Sequence, residues 1–439
     1  MSKKYWNEEI ETISRDELEK YQLERIREQI TAAYDKSPYY RQSFEKAGVS
    51  PTDLKTLDDL RKFPILTKKI VRERQDAKPI LGDLVVASED DVVFISSSSG
   101  STGAPTASPF SKKDFDEFQE VESRLFWQAG MRPNDRYIHA LNFSLFVGGP
   151  DVLGAQNLGA LCIWGGTLPA DRLLFILKQY QPTVIWTTPS YAWYLGETAI
   201  RKGINPAKDL AINRIIVAGE PGGSINATRE SIEKLWDAEV YDFYGISDIF
   251  GACAAACEEH DGLHVAEDHI YVEVLDEKTG LPVGEGERGE MILTTLRKDI
   301  RPMIRFRTGD IVTYTNEKCK CGRTLKRIKV VGRLDDMFIA GGVNVFPSDI
   351  EHVARKFDEL TGEYRVRVFE DRHITRFKVE VEKKNSSNVD IEDLRERLAH
   401  EIKISLGVKA NEVIILEEGE LPRATHKAKR LIDERKEVE

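Results

Sequence analysis

A tract rich in hydroxyl side chains and glycine, SSSSGSTGAPT, runs from residue 96 to residue 106. Its hydroxyl and backbone N–H groups can donate hydrogen bonds to phosphate oxygens. The tract contains no lysine or arginine, and only two residues separate Gly100 from Gly103. A Walker phosphate loop instead has four residues between its glycines and then a lysine. The tract therefore predicts an anion-binding loop that is not an ordinary P-loop and that takes positive charge from elsewhere.

Further motifs follow in a fixed order, namely AGEP at 218–221, DFYGISD at 242–248, RFRTGD at 305–310, GRLDDMFIAGGVNVFPSDIE at 332–351 and LPRATHKAKRLID at 421–433. With the loop, this series resembles the adenylate-forming acyl-CoA synthetase superfamily, most closely its phenylacetate-CoA ligase branch. The resemblance covers nearly the whole chain, including the opening YWNEEIETISRDELEKYQLERIREQ. It implies an ATP-dependent enzyme that first makes an acyl-AMP and pyrophosphate and then transfers the acyl group to the thiol of CoA.

The resemblance also implies which residues contact the co-substrates. Asp310 would accept the two ribose hydroxyls of ATP, and Tyr244 would stack on adenine. Asp248 stands where the family usually has a glutamate that holds Mg²⁺; aspartate is a suitable oxygen ligand but reaches one methylene less far. The complete set of ATP or AMP contacts that the resemblance implies is Ser98, Ser99, Gly100, Ser101, Thr102, Gly103, Gly219, Glu220, Pro221, Asp242, Phe243, Tyr244, Gly245, Ile246, Ser247, Asp310 and Arg333.

A carboxylate that attacks the polyanion ATP needs positioned cations. Lys427 matches the family's terminal lysine, which contacts the substrate carboxylate and the α-phosphate, although composition alone does not distinguish it from Lys429 nearby. Arg307 and Arg333 are further candidate phosphate partners. In the family the small C-terminal domain rotates after adenylation. The resemblance places the hinge at Asp335 and the CoA channel at Gly341, Gly342 and Val343.

The acid is predicted from the segment LNFSLFVGG at 141–149 and its neighbours. The predicted acyl pocket consists of Leu141, Asn142, Phe143, Ser144, Phe146, Trp164, Ala218 and Gly245. Such a lining suits a monocarboxylic acid with an aromatic or compact apolar body. We expect an aryl or arylacetic acid such as phenylacetate, or alternatively a small branched or hydroxylated aliphatic acid. Transfer of the acyl group to a carrier protein or an amine, and a catalytically inactive nucleotide-binding protein, are the competing readings.

Four of the five cysteines lie in two short segments, GACAAACEEHDGLH from residue 251 and EKCKCGRT from residue 317. A Cys-x-Cys-Gly turn is suited to a zinc knuckle if two more ligands approach from elsewhere. Some phenylacetate-CoA ligase relatives pair similar segments to hold a structural Zn²⁺. The set implied by that resemblance is Cys257, His264, Cys319 and Cys321, with Cys253 and His260 as alternatives.

These residues must be positioned by elements that the hydrophobic pattern also predicts. The first ninety residues are expected to be helical, with a capping-box start at Ser14 and Glu17. The runs DVVFIS, RYIHAL, GALCIW, TVIWTT and NRIIVAG alternate with helix-length segments and predict a mostly parallel, covered sheet. A β-hairpin-rich part follows from 270 to 315, where GEGERG at 284–289 matches the dinucleotide fingerprint only formally.

The predicted fold class is therefore α/β, with a large adenylate-forming domain at 1–334, a β-rich subdomain within it, and a small mobile α+β domain at 335–439. The net charge of −11 disfavours a nucleic-acid or anionic-membrane surface. No apolar run approaches the ~20 residues that span a bilayer, and the start lacks an apolar signal segment. We expect a cytoplasmic enzyme using a small carboxylic acid, ATP, CoA, Mg²⁺ and a structural Zn²⁺, and the resemblance implies a homodimer.

Overall fold

A computed structural model describes residues 3–78, 80–97, 106–143, 150–371, 374–423 and 429–436. Several predicted site residues lie outside these ranges, namely Ser98, Ser99, Gly100, Ser101, Thr102, Gly103, Ser144, Phe146 and Lys427. Within the described ranges the α-helices are α1 (Glu8–Glu11), α2 (Arg15–Lys36), α3 (Pro38–Ala47), α4 (Lys68–Ala77), α5 (Lys112–Gln128), α6 (Asp151–Leu158), α7 (Ala170–Tyr180), α8 (Pro189–Arg201), α9 (Pro206–Asp209), α10 (Asn226–Trp236), α11 (Pro347–Ala354) and α12 (Ile391–Leu406).

The strands of the same residues are β1 (Val92–Ser97), β2 (Ala107–Ser111), β3 (Arg136–His139), β4 (Leu161–Trp164), β5 (Val184–Thr187), β6 (Arg214–Ala218), β7 (Glu239–Ile246), β8 (Phe250–Ala256), β9 (Leu263–Val265), β10 (Ile270–Leu275), β11 (Gly289–Thr295), β12 (Phe306–Thr315), β13 (Arg327–Arg333), β14 (Phe338–Ala340), β15 (Val343–Val345), β16 (Leu360–Asp371), β17 (Ile374–Lys383), β18 (Glu412–Glu417) and β19 (Leu431–Asp433).

Local sequence explains where the helices begin. Ser14 caps α2 by accepting a hydrogen bond from the Glu17 N–H at 3.3 Å, so the predicted start of this helix is confirmed. Ser111 and Asp114 form a capping box at the start of α5. Thr188 caps α8, which has proline in its first turn.

The large sheet has the strand order β10-β11-β12-β13-β9-β8-β7-β6-β5-β3-β4 within the described residues. Strands β3 to β7 are parallel, and the remaining pairings from β7 to β10 are antiparallel. The mixed α/β class and the β-rich part are therefore confirmed. One expectation was wrong: DVVFIS does not join the parallel strands, because β1 pairs antiparallel with β2 in a separate hairpin.

Residues 338–431 contribute a separate hydrophobic core that includes Ile350, Val366, Phe377 and Leu398. Strands β16 to β19 form a four-stranded sheet in the order β18-β17-β16-β19, packed by α11 and α12. This is the small α+β unit that the sequence predicted, and the boundary at residue 335 stays a prediction. No helix among the described residues combines the length and the apolarity that a membrane crossing requires.

Candidate functional site

The carboxyl ends of the parallel strands lie along one edge of the large sheet, where open α/β sheets bind ligands. His139 ends β3, Trp164 ends β4 and Ala218 ends β6. The loop after β6 contains Gly219, whose φ of 89° requires glycine-like freedom for the turn. The AGEP motif at 218–221 and Trp164 of the predicted acyl pocket therefore lie at this edge.

Asp310, on β12, is the centre of a polar cluster. It is 4% exposed, and Arg333 lies directly opposite on β13. The Arg333 Nη1 donates to Asp310 Oδ1 at 2.7 Å, and the Tyr244 hydroxyl donates to Asp310 Oδ2. Burial, and then the Asp310 carboxylate, raises the pKa of Tyr244 well above its ordinary value, so its phenol keeps the proton that it donates. Three residues from three predicted motifs are thus brought together.

The side chain of Arg307 has a different partner from that of Arg333. Its Nε lies 3.0 Å from Glu290 Oε2, and its side chain is 43% exposed. The two arginines proposed from the sequence as phosphate partners therefore have different surroundings, and only Arg333 touches the Asp310 cluster.

Asp248, the candidate magnesium ligand, is buried beside the end of the hydroxyl-rich tract. Its Oδ1 accepts from the Thr106 hydroxyl at 2.6 Å, and its Oδ2 accepts from Lys68 Nζ at 3.2 Å. Lys68 opens α4 and was missed by the sequence reasoning, because nothing in the local sequence marks a lysine that reaches a residue 180 positions away. A cation of the kind that the tract lacks therefore stands next to it.

The other residues predicted to bind the nucleotide have different surroundings. Glu220 Oε1 accepts from the Ser190 N–H at 2.8 Å and so holds the loop after β6 against the start of α8. Asp242 accepts from the Ser224 hydroxyl, and burial raises its pKa to about 7. Phe243 is only 2% exposed and its ring packs 5.1 Å from that of Trp186, so this side chain belongs to the core.

Gly219, Pro221, Gly245, Ile246 and Ser247 complete the predicted nucleotide set that the structure describes. In β7, an added Cβ at Gly245 would collide with the Gly251 carbonyl of β8, so the strand pairing demands glycine there. The Ser247 carbonyl accepts from the Ser96 hydroxyl at 3.4 Å, which connects β1 to the segment that holds Asp248.

The described part of the predicted acyl pocket is aromatic. The Phe143 ring stacks on that of Trp164 with centroids 5.3 Å apart and an interplanar angle of 13°. Trp164 is 56% exposed, so this wall opens outward. Leu141, Asn142 and Ala218 are half-buried at the same strand ends.

His139 adjoins this wall and was missed by the sequence reasoning, since RYIHAL was interpreted only as a strand. Its ring centroid lies 4.8 Å from that of Phe143. The Tyr137 hydroxyl contacts His139 Nδ1 at 2.7 Å, whereas Nε2 is buried with no hydrogen-bond partner among the described residues. Burial lowers the pKa of His139 to about 3, so the imidazole is neutral.

Of the residues predicted for the hinge and the CoA channel, Asp335 lies just before the second core, and Gly341, Gly342 and Val343 lie within its segment. Asp335 is in a short 3-10 turn at Leu334–Asp336, and its carboxylate lies 3.4 Å from Arg333 Nη2. Gly341 and Gly342 form the turn between β14 and β15 with φ values of 55° and 81°, and Val343 begins β15. The two glycines therefore form a turn, and their part in a hinge or a CoA channel stays a prediction.

Contacts between the two cores come mainly from α11. Glu351, which is 5% exposed, accepts from the Thr228 hydroxyl of α10 at 3.1 Å and from the Tyr364 hydroxyl at 3.1 Å. The Arg355 guanidinium lies 4.4 Å from the ring centroid of Trp193 in α8. Thr228 and Trp193 belong to the large domain, so these contacts fix one arrangement of the two cores.

A second cluster consists of the four residues proposed as metal ligands. Their ligand atoms all lie within 4.8 Å of one another, and all four residues are buried, namely Cys257, His264, Cys319 and Cys321. The Cys257 and Cys319 sulfurs are 3.8 Å apart, and Cys321 Sγ is 3.5 Å from His264 Nε2. Around a tetrahedral zinc ion with the usual bond lengths, two sulfur ligands lie about 3.8 Å apart, and a sulfur and a nitrogen ligand lie about 3.6 Å apart. The four residues therefore fit a zinc ion.

Groups around this cluster orient its members. His264 Nδ1 lies 3.3 Å from the Leu325 carbonyl, which turns Nε2 towards the thiols. The Tyr5 hydroxyl donates to the Cys321 carbonyl at 3.2 Å, and Arg323 Nε donates to Glu11 Oε2 at 2.7 Å. The N-terminal segment thus packs against the cluster.

The two alternative metal ligands lie outside the cluster. Cys253 is buried on β8, and the His260 ring instead lies 5.2 Å from the ring of Tyr241. The hydrogen bond between the two sulfurs lowers the pKa of Cys321 and raises that of Cys257, so these two thiols titrate as a pair.

Comparison with known proteins agrees with this geometry. A family model described as AMP-binding enzyme matches residues 14–295, and one described as AMP-binding enzyme C-terminal domain matches residues 342–435. The chain is 36% identical to the phenylacetate-coenzyme A ligase of Escherichia coli (strain K12), over 97% of this chain and 96% of that protein. It is 32% identical to the phenylacetate-coenzyme A ligase of Thermus thermophilus, over 98% of this chain and 99% of that protein.

Among solved structures, 2-hydroxyisobutyryl-CoA ligase in the postadenylation state with 2-HIB-AMP matches with a TM-score of 0.93. The match has 31% identity and covers 99% of this chain and 93% of that one. The same ligase in its thioesterification state, with 2-HIB-AMP and CoA, gives a TM-score of 0.74 over the same shares. The chain therefore belongs to the AMP-binding enzyme family and is an AMP-forming acyl-CoA ligase related to the phenylacetate-CoA ligases.

Proposed function

We propose that the acid activated by this ligase is an aryl or arylacetic acid, with phenylacetate as the first candidate. The observation that carries the proposal is the aromatic wall of Phe143 and Trp164 at the carboxyl edge of the sheet, in a chain whose curated relatives are phenylacetate-CoA ligases. A flat ring can stack on such a wall at the usual aromatic distances. The acid's carboxylate would then point towards the phosphate side of the same edge.

For the adenylation step, we assign roles to residues of the Asp310 and Asp248 clusters. Asp310 would accept the ribose hydroxyls, held in place by Arg333 and Tyr244. Asp248 and Thr106 would face the phosphates, where Mg²⁺, when bound through Asp248, would offset phosphate charge. Lys427 would contact the acid's carboxylate and the α-phosphate, so that attack on phosphorus is favoured electrostatically.

For the thioester step, we propose that the small domain rotates about Asp335. The higher TM-score to the postadenylation state than to the thioesterification state of one related ligase supports an arrangement that belongs to the first half-reaction. Rotation would withdraw Lys427 and bring the Gly341–Gly342 turn to the path of the CoA thiol. A two-glycine turn can absorb the required change in φ and ψ.

We propose a structural zinc ion for the cluster of Cys257, His264, Cys319 and Cys321. Four protein ligands leave no open position for a substrate, which is typical of a structural site. The support is that two of the six ligand–ligand distances, Cys257 to Cys319 and Cys321 to His264, match a zinc tetrahedron, and that Leu325 orients His264. The ion would connect β9 to the loop between β12 and β13.

A small hydroxylated aliphatic acid is the second candidate substrate, and the buried Nε2 of His139 favours it. A neutral imidazole with one unpaired nitrogen beside Phe143 could form a hydrogen bond with a substrate hydroxyl. A simple arylacetic acid would leave that nitrogen without a partner, which costs free energy in a buried site.

A panel of carboxylic acids tests these alternatives. AMP and acyl-CoA formation would be measured with phenylacetate, benzoate, 2-hydroxyisobutyrate and isobutyrate, with and without CoA. The highest kcat/KM for an aromatic acid supports the proposal, and a preference for 2-hydroxyisobutyrate over isobutyrate supports the second candidate. AMP release without a need for CoA would instead favour another acyl acceptor. A cytoplasmic location and a homodimer remain predictions from the sequence.

A further inference from the structure

Two buried cations lie beneath the base of the β1–β2 hairpin, outside the residues that the family motifs identify. Lys298 and Arg301 belong to the segment between β11 and β12, and both are 0% exposed. Neither has a carboxylate within ion-pairing distance in the part of the chain that the structure describes. Burial, and then the Arg301 charge, lowers the pKa of Lys298 well below its ordinary value, and the more distant carboxylates of Asp114 and Asp248 only partly oppose this shift. Buried cations are normally paired, because an uncompensated charge away from water is costly. Their position therefore needs a specific explanation.

Lys298 contacts two segments at once. Its Nζ donates to the Ser108 hydroxyl at 2.5 Å and to the Ile249 carbonyl at 2.5 Å. The ammonium also lies 4.0 Å from the ring centroid of Phe110, a cation–π distance. Ser108 in turn donates to the Asp248 carbonyl at 3.2 Å. One lysine thus holds the start of β2 beside the segment that contains Asp248.

Arg301 makes a parallel connection. Its Nη1 donates to the Ala107 carbonyl at 2.6 Å and its Nη2 lies 3.5 Å from the Asp248 carbonyl. The segment that holds both cations is fixed by Asp114, whose two oxygens accept from the N–H groups of Asp299 and Ile300. The cations therefore occupy a rigid position, set by the same carboxylate that caps α5.

We propose that Lys298 and Arg301 are positioning residues for adenylation: both fix Thr106 and Asp248 in register, and the Arg301 guanidinium provides a buried positive charge under the site of the ATP pyrophosphate group. This inference rests on the proposed placement of the phosphates beside Thr106 and Asp248. It goes beyond that proposal because it identifies a fixed source of positive charge that stays in place throughout the cycle. A preorganised charge of this kind favours the developing pyrophosphate without rearrangement.

The charge and the geometry predict that variants of this pair lose affinity for ATP but not for AMP. ATP carries the β- and γ-phosphates that this pair would face, whereas AMP does not. Lys298→Met should therefore weaken MgATP binding by on the order of tenfold and leave AMP binding nearly unchanged. Acid-dependent ATP–pyrophosphate exchange should fall by on the order of 100-fold, the usual effect of one lost electrostatic contact in a transition state. Conversion of preformed acyl-AMP and CoA to acyl-CoA, which involves no pyrophosphate, should be retained.

Calorimetric titration with MgATP and with AMP, together with rates of the two half-reactions, tests this on the full chain. Lys326→Met is the matched control, because Lys326 also donates to a backbone carbonyl, that of Val272, but lies just before β13, outside the segment that contains Lys298 and Arg301. It should leave the ratio of ATP to AMP affinity unchanged. Lys298→Arg, which keeps the charge, should restore a large part of the exchange rate.

The milder variants Ser108→Ala and Arg301→Lys keep the test decisive if Lys298→Met does not fold. Both should reduce exchange more than they reduce thioester formation. Equal losses in ATP and AMP affinity, or equal losses in both half-reactions with a lowered Tm, would overturn the inference and leave a purely structural role. Failure of the wild-type enzyme to make acyl-CoA from any acid would instead contradict the proposed function.

Discussion

Replacing Thr228 by valine removes one hydrogen bond between the two domains and almost nothing else. Thr228 Oγ1 donates to Glu351 Oε1, and Glu351 has two further partners, Tyr364 and Arg355, within its own domain. In the proposed rotation of the small domain, those partners would move with Glu351, whereas Thr228 would stay with the large sheet. The variant should therefore destabilise the described arrangement without unfolding either core, since threonine and valine have nearly the same shape.

The expected size follows from the chemistry of the contact. A hydrogen bond to a charged group is worth ~1.5–3 kcal/mol, and we use the lower limit because Glu351 regains water when the domains separate. At ~1.4 kcal/mol per factor of ten, the equilibrium between the two domain arrangements should shift by about tenfold. Adenylation should slow relative to thioester formation by up to this factor.

Separate measurement of ATP–pyrophosphate exchange and of acyl-AMP conversion by CoA gives the ratio. Tyr364→Phe is the control, because it removes a hydrogen bond to the same carboxylate from inside the small domain. It should lower stability and leave the ratio unchanged. If Thr228→Val slowed both half-reactions equally, or if the two variants behaved alike, the contact would not discriminate between domain arrangements and the reasoning would be refuted.

Three other predictions concern separate parts of the molecule. Lys427→Ala should reduce acid-dependent ATP–pyrophosphate exchange by at least ~100-fold yet still convert preformed acyl-AMP; unchanged exchange would remove Lys427 from the mechanism. In Cys319→Ser, the zinc content measured by elemental analysis should fall from about one equivalent to well below half, and the Tm should fall with it. Full zinc content in the variant would contradict the proposed ligand set. The pKa of His139 is about 3 in the fold and ~6.5 when unfolded, so the unfolded chain gains a proton as the pH falls below 6.5 and the native state loses stability. Urea unfolding should show that wild type loses about 2 kcal/mol more than His139→Gln between pH 7 and pH 5; equal losses would place the His139 ring in contact with water.

The sequence predicted those parts of the fold and site that short segments encode. Motif residues such as Asp310 and Tyr244 were recognisable within short segments, and the structure places them inside β12 and β7 with their side chains hydrogen-bonded to each other. The cluster of Cys257, His264, Cys319 and Cys321 was also predicted as a set, from the resemblance and with Cys253 and His260 as alternatives in the same two short segments. In both examples the chemistry of each segment was recognisable before the segments met.

Residues that act across the fold could not be predicted in this way. Lys68 reaches Asp248 across 180 positions, and Lys298 reaches Ser108 across 190. Each lysine lies in an ordinary polar segment, so only the packing of the hairpin against the large sheet reveals its partner. The pairing of β1 with β2 was missed for a related reason: a hydrophobic run predicts a strand but not its neighbour.

The packing of the N-terminal segment on the cysteine cluster closes a long loop of chain, and the entropy of that closure can be compared with that of a shorter loop. The contact between Glu11 and Arg323 closes 312 positions of chain, against 62 for the pair Cys257 and Cys319. Because loop-closure entropy grows only with the logarithm of length, the longer closure costs just ~1.4 kcal/mol more than the shorter one. The buried Glu11–Arg323 ion pair, with the Tyr5 hydrogen bond beside it, has little additional entropy to offset. A contact across 312 positions of chain therefore costs little more closure entropy than a contact across 62.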